Sequence, residues 1–192
     1  MEKWVVSVLG GDHPGIVAQV ASCLAEFGCN IEDCNQTILQ TEFAAIFIVT
    51  APEHHTLAAL DAHLQQRLQA EGLTVRTKSL TRQEKTSSGG GMPFVVATKG
   101  PDRVGMIAAL ANAMATLGCN INNFRAIARS GNGKGEQMTT IFEITLPAQV
   151  ELSRLKASLG AVAQRFELEI SVQHSAIFAA TNQITPDIPR ET

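Results

Sequence analysis

Two ferredoxin-like βαββαβ modules in tandem, an α+β architecture, are the fold this 192-residue sequence predicts. Residues 4–31 and 94–121 align without a gap at an offset of 90, with 12 identities in 28 positions. Strand-like and helix-like runs then follow in the same order in each copy. Apolar residues make up 45% of the chain and charged residues 17%, a composition that fills ordinary cores and excludes a disordered chain.

Each element has its own reason. Trp4 to Leu9 is a short β-branched run that suits a strand. Between Gly15 and Phe27, the residues Val17, Val20, Leu24 and Phe27 recur at helical spacing and predict one apolar stripe. Gly28 stands where a left-handed helix cap belongs. Ile31 to Leu39 and Phe43 to Ala51 read as two strands. Leu57, Leu60, Leu64 and Leu68 mark a second helix ending near Gly72, and Leu73 to Leu80 is the last strand. The second copy repeats the pattern, with Ile107, Leu110, Met114 and Leu117 on its first helix. Leu152, Leu155, Leu159, Val162 and Phe166 mark its second. Two helices on one face of an antiparallel sheet give the ferredoxin-like layer. A module of about 80 residues has a small core, so pairing two modules would bury more surface and cover sheet edges.

Past the first helix and strands the offset becomes 95: Ile46-Phe47-Ile48-Val49 matches Ile141-Phe142-Glu143-Ile144, and Pro52 matches Pro147. The five extra residues fall near the glycine-rich turn Ser130–Gly135. The expected organisation is a first module over 1–81, a flexible polar linker over 82–92, a second module over 93–175 and a C-terminal tail of mixed character over 176–192, which Pro186 and Pro189 suggest ends irregularly. The run Gly89-Gly90-Gly91 is no phosphate loop, since no helix start with Lys-Ser/Thr follows it.

The net charge is −3, with 15 basic and 18 acidic residues, so there is no sign of the basic face that grips DNA. No apolar run approaches the ~20 residues that span a bilayer. The N-terminus runs straight into a strand without the marks of a signal peptide. Cys23, Cys29, Cys34 and Cys119 include no Cys-x-x-Cys pair, which disfavours a disulfide framework or a zinc site and fits reduced thiols in a cytoplasmic protein. No cofactor is expected.

The most informative segment is Gly10-Gly11-Asp12-His13-Pro14-Gly15, between the first strand and the first helix. Pro14 fits a first helical turn, and Gly15 allows close approach of a backbone or ligand. A helix start offers unpaired N–H groups to a carboxylate, while Asp12 either caps the helix or accepts from an ammonium group. The plain reading is a tight turn with an ordinary cap. The second copy, Gly100-Pro101-Asp102-Arg103-Val104-Gly105, keeps the aspartate and the final glycine but not the proline before it.

With Gly-x-Asp-x-Pro-Gly-Ile-Val-Ala at residues 10–18 and Gly-Cys-Asn-Ile after each first helix, the chain resembles tandem ACT-domain proteins over residues 4–80 and 94–174. That resemblance implies βαββαβ domains that pair and bind small effectors, most often amino acids. It implies a ligand held between the strand-1–helix-1 loop of one domain and the asparagine opening strand 2 of its partner. Carried onto this sequence, Gly11, Asp12, His13, Pro14 and Gly15 would work with Asn120 and Ile121. Gly100, Asp102, Arg103 and Gly105 would work with Asn30 and Ile31. Tandem ACT chains with no enzyme attached also imply an accessory regulator that acts on a separate DNA-binding activator in response to a small amino acid.

Other features carry less. His54-His55 lacks further ligands at metal-binding spacing and reads as a solvated helix start, and His63 among helix leucines as partly exposed. Asp12-His13 has no serine or cysteine nucleophile spaced with it. Arg103, Arg125, Arg129 and Lys134 make the second copy locally basic, a solvated face or a contact for a partner or anion. Two modules leave no stretch for a catalytic domain, so an enzyme acting on a folate or amino-acid derivative is the lesser expectation. An amino-acid-binding regulatory subunit of a metabolic enzyme is a competing reading, and a direct DNA-binding repressor is a weaker one. A homo-oligomer is compatible with the pairing of such domains.

Overall fold

The computed structural model describes residues 2–81, 90–131 and 135–182. The chain divides into two compact units, Met1–Gln83 and Glu84–Thr192.

In the first unit, β1 (Lys3–Gly11) leads to α1 (Ile16–Glu26), β2 (Asn30–Leu39), β3 (Glu42–Thr50), α2 (Leu57–Leu68) and β4 (Thr74–Ser79). The antiparallel sheet has the order β2-β3-β1-β4. Alternation along β1 and β3 turns Trp4, Val6, Val8, Phe43, Ala45, Phe47 and Val49 to the helix-covered face, where all are buried. Leu60, Leu64 and Leu68 of α2 are buried against them, each burial contributing roughly 2 kcal/mol. A left-handed Gly28, at φ 77°, ends the α1 segment as expected.

The stripe of α1 differs from the expected one. Ile16, Val20, Cys23 and Leu24 are buried, while Val17 is 41% exposed. The helix starts at Ile16, and with 3.6 residues per turn residue 16 shares the core line with 20, 23 and 24. Val17 lies one position around, beside β2.

The second unit repeats the plan with β5 (Met92–Pro101), α3 (Met106–Ala115), β6 (Asn120–Gly131), β7 (Gly135–Leu146), α4 (Leu152–Phe166) and β8 (Glu169–His174), in the order β6-β7-β5-β8. Met106, Leu110, Met114, Leu155, Leu159 and Phe166 fill its core. Ile107, Leu117, Leu152 and Val162, expected on the helix stripes, are only partly buried. The five extra residues lengthen one hairpin: β6 and β7 have 12 residues each, against 10 and 9 in β2 and β3. Lys134 and the middle of that glycine-rich turn lie outside the described residues, as do 82–89 of the expected linker and the prolines of the tail.

The first part of the tail is helical. Ser175–Asn182 forms α5, which packs against β5 and β8. The run Ala176-Ile177-Phe178-Ala179 supplies helix-forming alanines, with Phe178 half-buried and Ile177 exposed.

Candidate functional site

The segment 10–15 is half strand. Gly10 pairs with Phe43 and Gly11 with Glu42, and the Asp12 N–H donates to the Thr41 carbonyl at 2.7 Å. Pro14 therefore lies in a turn before the helix and not in its first turn. The N-cap of α1 is Gly15, at φ 99°, a left-handed conformation that an L side chain adopts only at a cost. Among the described residues no side chain caps this helix, so the capping role expected for Asp12 is not taken up. The left-handed turn at Gly15 sets the helix start three residues beyond Asp12, past the reach of an ordinary cap. A Cβ at Gly15 would meet no atom within 4 Å, so the space above it is open.

Gly10 and Gly100 have a packing role. A Cβ on Gly10 would lie 2.8 Å from Leu73 Cδ2 and 2.9 Å from the Gly72 carbonyl oxygen. On Gly100 it would meet Leu168 Cδ2 and the Glu167 carbonyl oxygen at the same distances. The close approach of two backbones explains glycine there without a ligand.

In the second copy, Gly105 is again left-handed at φ 86°, and Asp102 N–H donates to Glu136. Arg103 donates to Glu167 at 2.8 Å, an exposed ion pair, and the Met106 N–H donates to the Arg103 carbonyl. Val104, standing where the first copy has Pro14, is fully exposed.

The asparagines sit elsewhere. Asn30 pairs with Thr50, whereas Gly11 and Leu39 both pair with Glu42. Eight steps along β3 separate the two levels, about 26 Å at strand rise. Loop and asparagine of one unit thus stand at opposite ends of its sheet. The second unit repeats this, with Asn120 opposite Thr145 and Pro101 opposite Gln137. A pocket that uses both elements has to draw them from two different domains.

The asparagine ends also differ chemically. In the first unit Glu32 accepts from the Lys3 ammonium and from the Thr50 hydroxyl. The Lys3 bond first and the Thr50 bond second hold its carboxyl below the usual glutamate range. In the second unit Asn120 Nδ2 donates to Asn122 Oδ1 at 2.6 Å, and Asn122 donates to Thr145 at 2.8 Å. A neutral amide chain replaces an ion pair. Ile31 and Ile121 each open a register shift in the edge strand.

A family model described as "ACT domain" matches residues 2–78. A UPF0237 protein of Methanosarcina mazei is 35% identical over 83 residues, which are 43% of this chain and 86% of the relative. The chain belongs to the ACT-domain family. A UPF0237 protein of Methanopyrus kandleri is 49% identical over 53 residues, 28% of this chain, and there the chain spans 59% of the relative's length. Among solved structures, an unknown protein from Galdieria sulphuraria shares the fold at a TM-score of 0.75 and 21% identity, over 90% of this chain and 98% of that one. A protein assigned, provisionally, as a glycine cleavage system transcriptional repressor shares it at 0.61 and 17% identity, over 90% and 96%.

The first ACT domain also holds a cleft of about 520 Å³ between α1 and β2, bounded by Asp12, His13, Val17, Ala21, Gln36 and Phe43. The buried His13 Nε2 and Gln19 Oε1 have no hydrogen-bond partner among the described residues. Gln19 and Gln36 were not anticipated from the sequence. The usable signal is that Gln19 is polar within an otherwise largely apolar helix run, and that Ala109 and Ala126 replace the two glutamines in the second ACT domain. His55 and His63 were not anticipated as a pair either: they flank the Phe27 ring at 4.2 and 5.5 Å.

Proposed function

We propose that this ACT-domain protein is a non-enzymatic regulator whose paired domains bind a small amino acid, with glycine as the first candidate. On this reading the loop at residues 11–15 works with Asn120, and the loop at 100–105 with Asn30. Occupancy changes how the protein meets a separate DNA-binding transcriptional activator, so that it represses expression of a glycine cleavage system. The observation that carries the reading is the placement of loop and asparagine at opposite ends of each sheet, in both copies. Such an element pair is complete only when two domains meet, which makes ligand binding and domain pairing one equilibrium. The shared fold of the protein assigned as a glycine cleavage repressor supports the choice of system, through its architecture alone. The formal charge of −3 favours a protein partner over direct contact with nucleic acid.

Calorimetry of the full chain against glycine, serine and other amino acids tests the ligand. Saturable heat is expected, weakened at least about tenfold by Asn120→Ala, since one ligand hydrogen bond is worth roughly that factor. Asn120 is exposed and bonds only its neighbour's amide among the described contacts, so thermal stability is expected to hold. Absence of heat with every amino acid removes the effector role. A mobility shift by the chain alone, abolished by salt, would favour a direct DNA-binding repressor instead.

A further inference from the structure

We propose that the face of the first sheet turned away from α1 and α2 binds the same face of a second copy of this chain, about a two-fold axis that runs along the strands. The surface occupies the middle of the sheet and uses neither the loop at 11–15 nor Asn30.

Strand register sets the side chains of this face in level rows. Asp33, Ile48, Val5 and Lys78 form one row across β2, β3, β1 and β4. The next row carries Ile46 on β3 and Arg76 on β4, and the one after it Ala44 and Leu9 on the central strands. Apolar side chains thus hold the centre, an acid holds one border, and two bases hold the other. Val5 is already buried, whereas Leu9 and Ile46 are 52% and 51% exposed and line a groove of about 470 Å³. Three strand spacings, about 14 Å, separate Asp33 from Lys78, too far for a pair within one sheet. None of Asp33, Arg76 and Lys78 forms an ion pair among the described residues.

A two-fold axis along the strands turns a second sheet over and reverses its strand order, while each row keeps its level. β2 then lies over the other copy's β4, and β3 over its β1. Asp33 meets the other copy's Lys78, and Ile48 meets its Val5, twice over by symmetry. Facing sheets stand about 10 Å apart, a gap that an aspartate and a lysine span together and that aliphatic side chains fill. An axis across the strands would instead set β2 over β2 and β4 over β4, bringing like charges together. The charge pattern therefore selects one arrangement of the two copies.

The second sheet lacks this character. Lys99 stands where the first has Leu9, and Glu143 where it has Ile48, both exposed on central strands. Closing that face would bury unpaired charge. Four strands make a face about 20 Å wide, at the small end of specific interfaces, so the association depends on concentration.

The test is sedimentation velocity of the full chain over a range of concentrations. A monomer–dimer equilibrium is expected, and Ile46→Asp, at an exposed position, is expected to leave monomer throughout. Lys78→Glu is expected to weaken the dimer at least about tenfold, since it sets like charges opposite each other at two symmetric places. Adding Asp33→Lys to Lys78→Glu exchanges the two borders and is expected to restore the parent's association to within about threefold. Thermal unfolding confirms that each variant is folded. A chain that stays monomeric at every concentration overturns the proposal. So does a dimer that Ile46→Asp leaves intact, which would lie on another surface. Folded single variants without rescue in the double variant overturn it as well.

Discussion

Thr98 and Thr140 face each other across β5 and β7 with their hydroxyl oxygens 2.6 Å apart, both side chains buried. The equivalent pair in the first domain is Val8 and Ala45, so one sheet carries a polar bond where its sister is dry. Removing one hydroxyl strands the other in an apolar core. Thr98→Val and Thr140→Val are each expected to cost about 1–2 kcal/mol, while the double variant is expected to lie close to the parent. A double-mutant cycle from urea unfolding checks this, and additive losses would contradict it.

Gly10 and Gly15 are expected to fail in different ways. Gly10→Ala forces a Cβ to within 2.9 Å of the Gly72 carbonyl oxygen, a backbone clash that costs about 2 kcal/mol or more. Gly15→Ala meets open space and is opposed only by its φ of 99°, at about 1–2 kcal/mol. Chemical denaturation of the two variants separates them. Because Gly15 carries this conformational cost, Asn120→Ala is the cleaner probe of the ligand.

Glu32 titrates below an ordinary glutamate because Lys3 and Thr50 hydrogen-bond its ionised form. A carboxyl depressed in the folded state lends stability above its unfolded value and loses it as the pH falls through the folded one. Acidification is therefore expected to release the Lys3–Glu32 contact, and Lys3→Met to move Glu32 back toward the usual range. Carboxyl chemical shifts followed against pH measure both. The shift stays modest, since the site is solvated.

Much of the fold was legible because period and repetition agree. The β-branched run at Trp4–Leu9 and the leucines at 60, 64 and 68 each point to one element, and the second copy repeats the order. The strand–helix junctions were harder to read. Val17 fits a helical stripe as well as Ile16 does, and only the helix start, fixed by the left-handed Gly15, decides which of them is buried. The role of Gly10 was hidden because its neighbour, Gly72, is 62 residues away in sequence. Gln36 was hidden because its strand is exposed on both faces, where a polar residue is unremarked. α5 was missed because eight residues carry little periodicity before docking supplies the reason for a helix.

The lengthened β6 is an edge strand of twelve residues whose outer amides lack a strand partner within its own sheet, the kind of border on which chains aggregate. Arg125 and Arg129 lie along it, and Glu32 and Asp33 along the matching border of the first domain. Two molecules that met through the same border would bring like charges together. Each domain thus carries a guard against sticking to its own kind, and the guards have opposite sign.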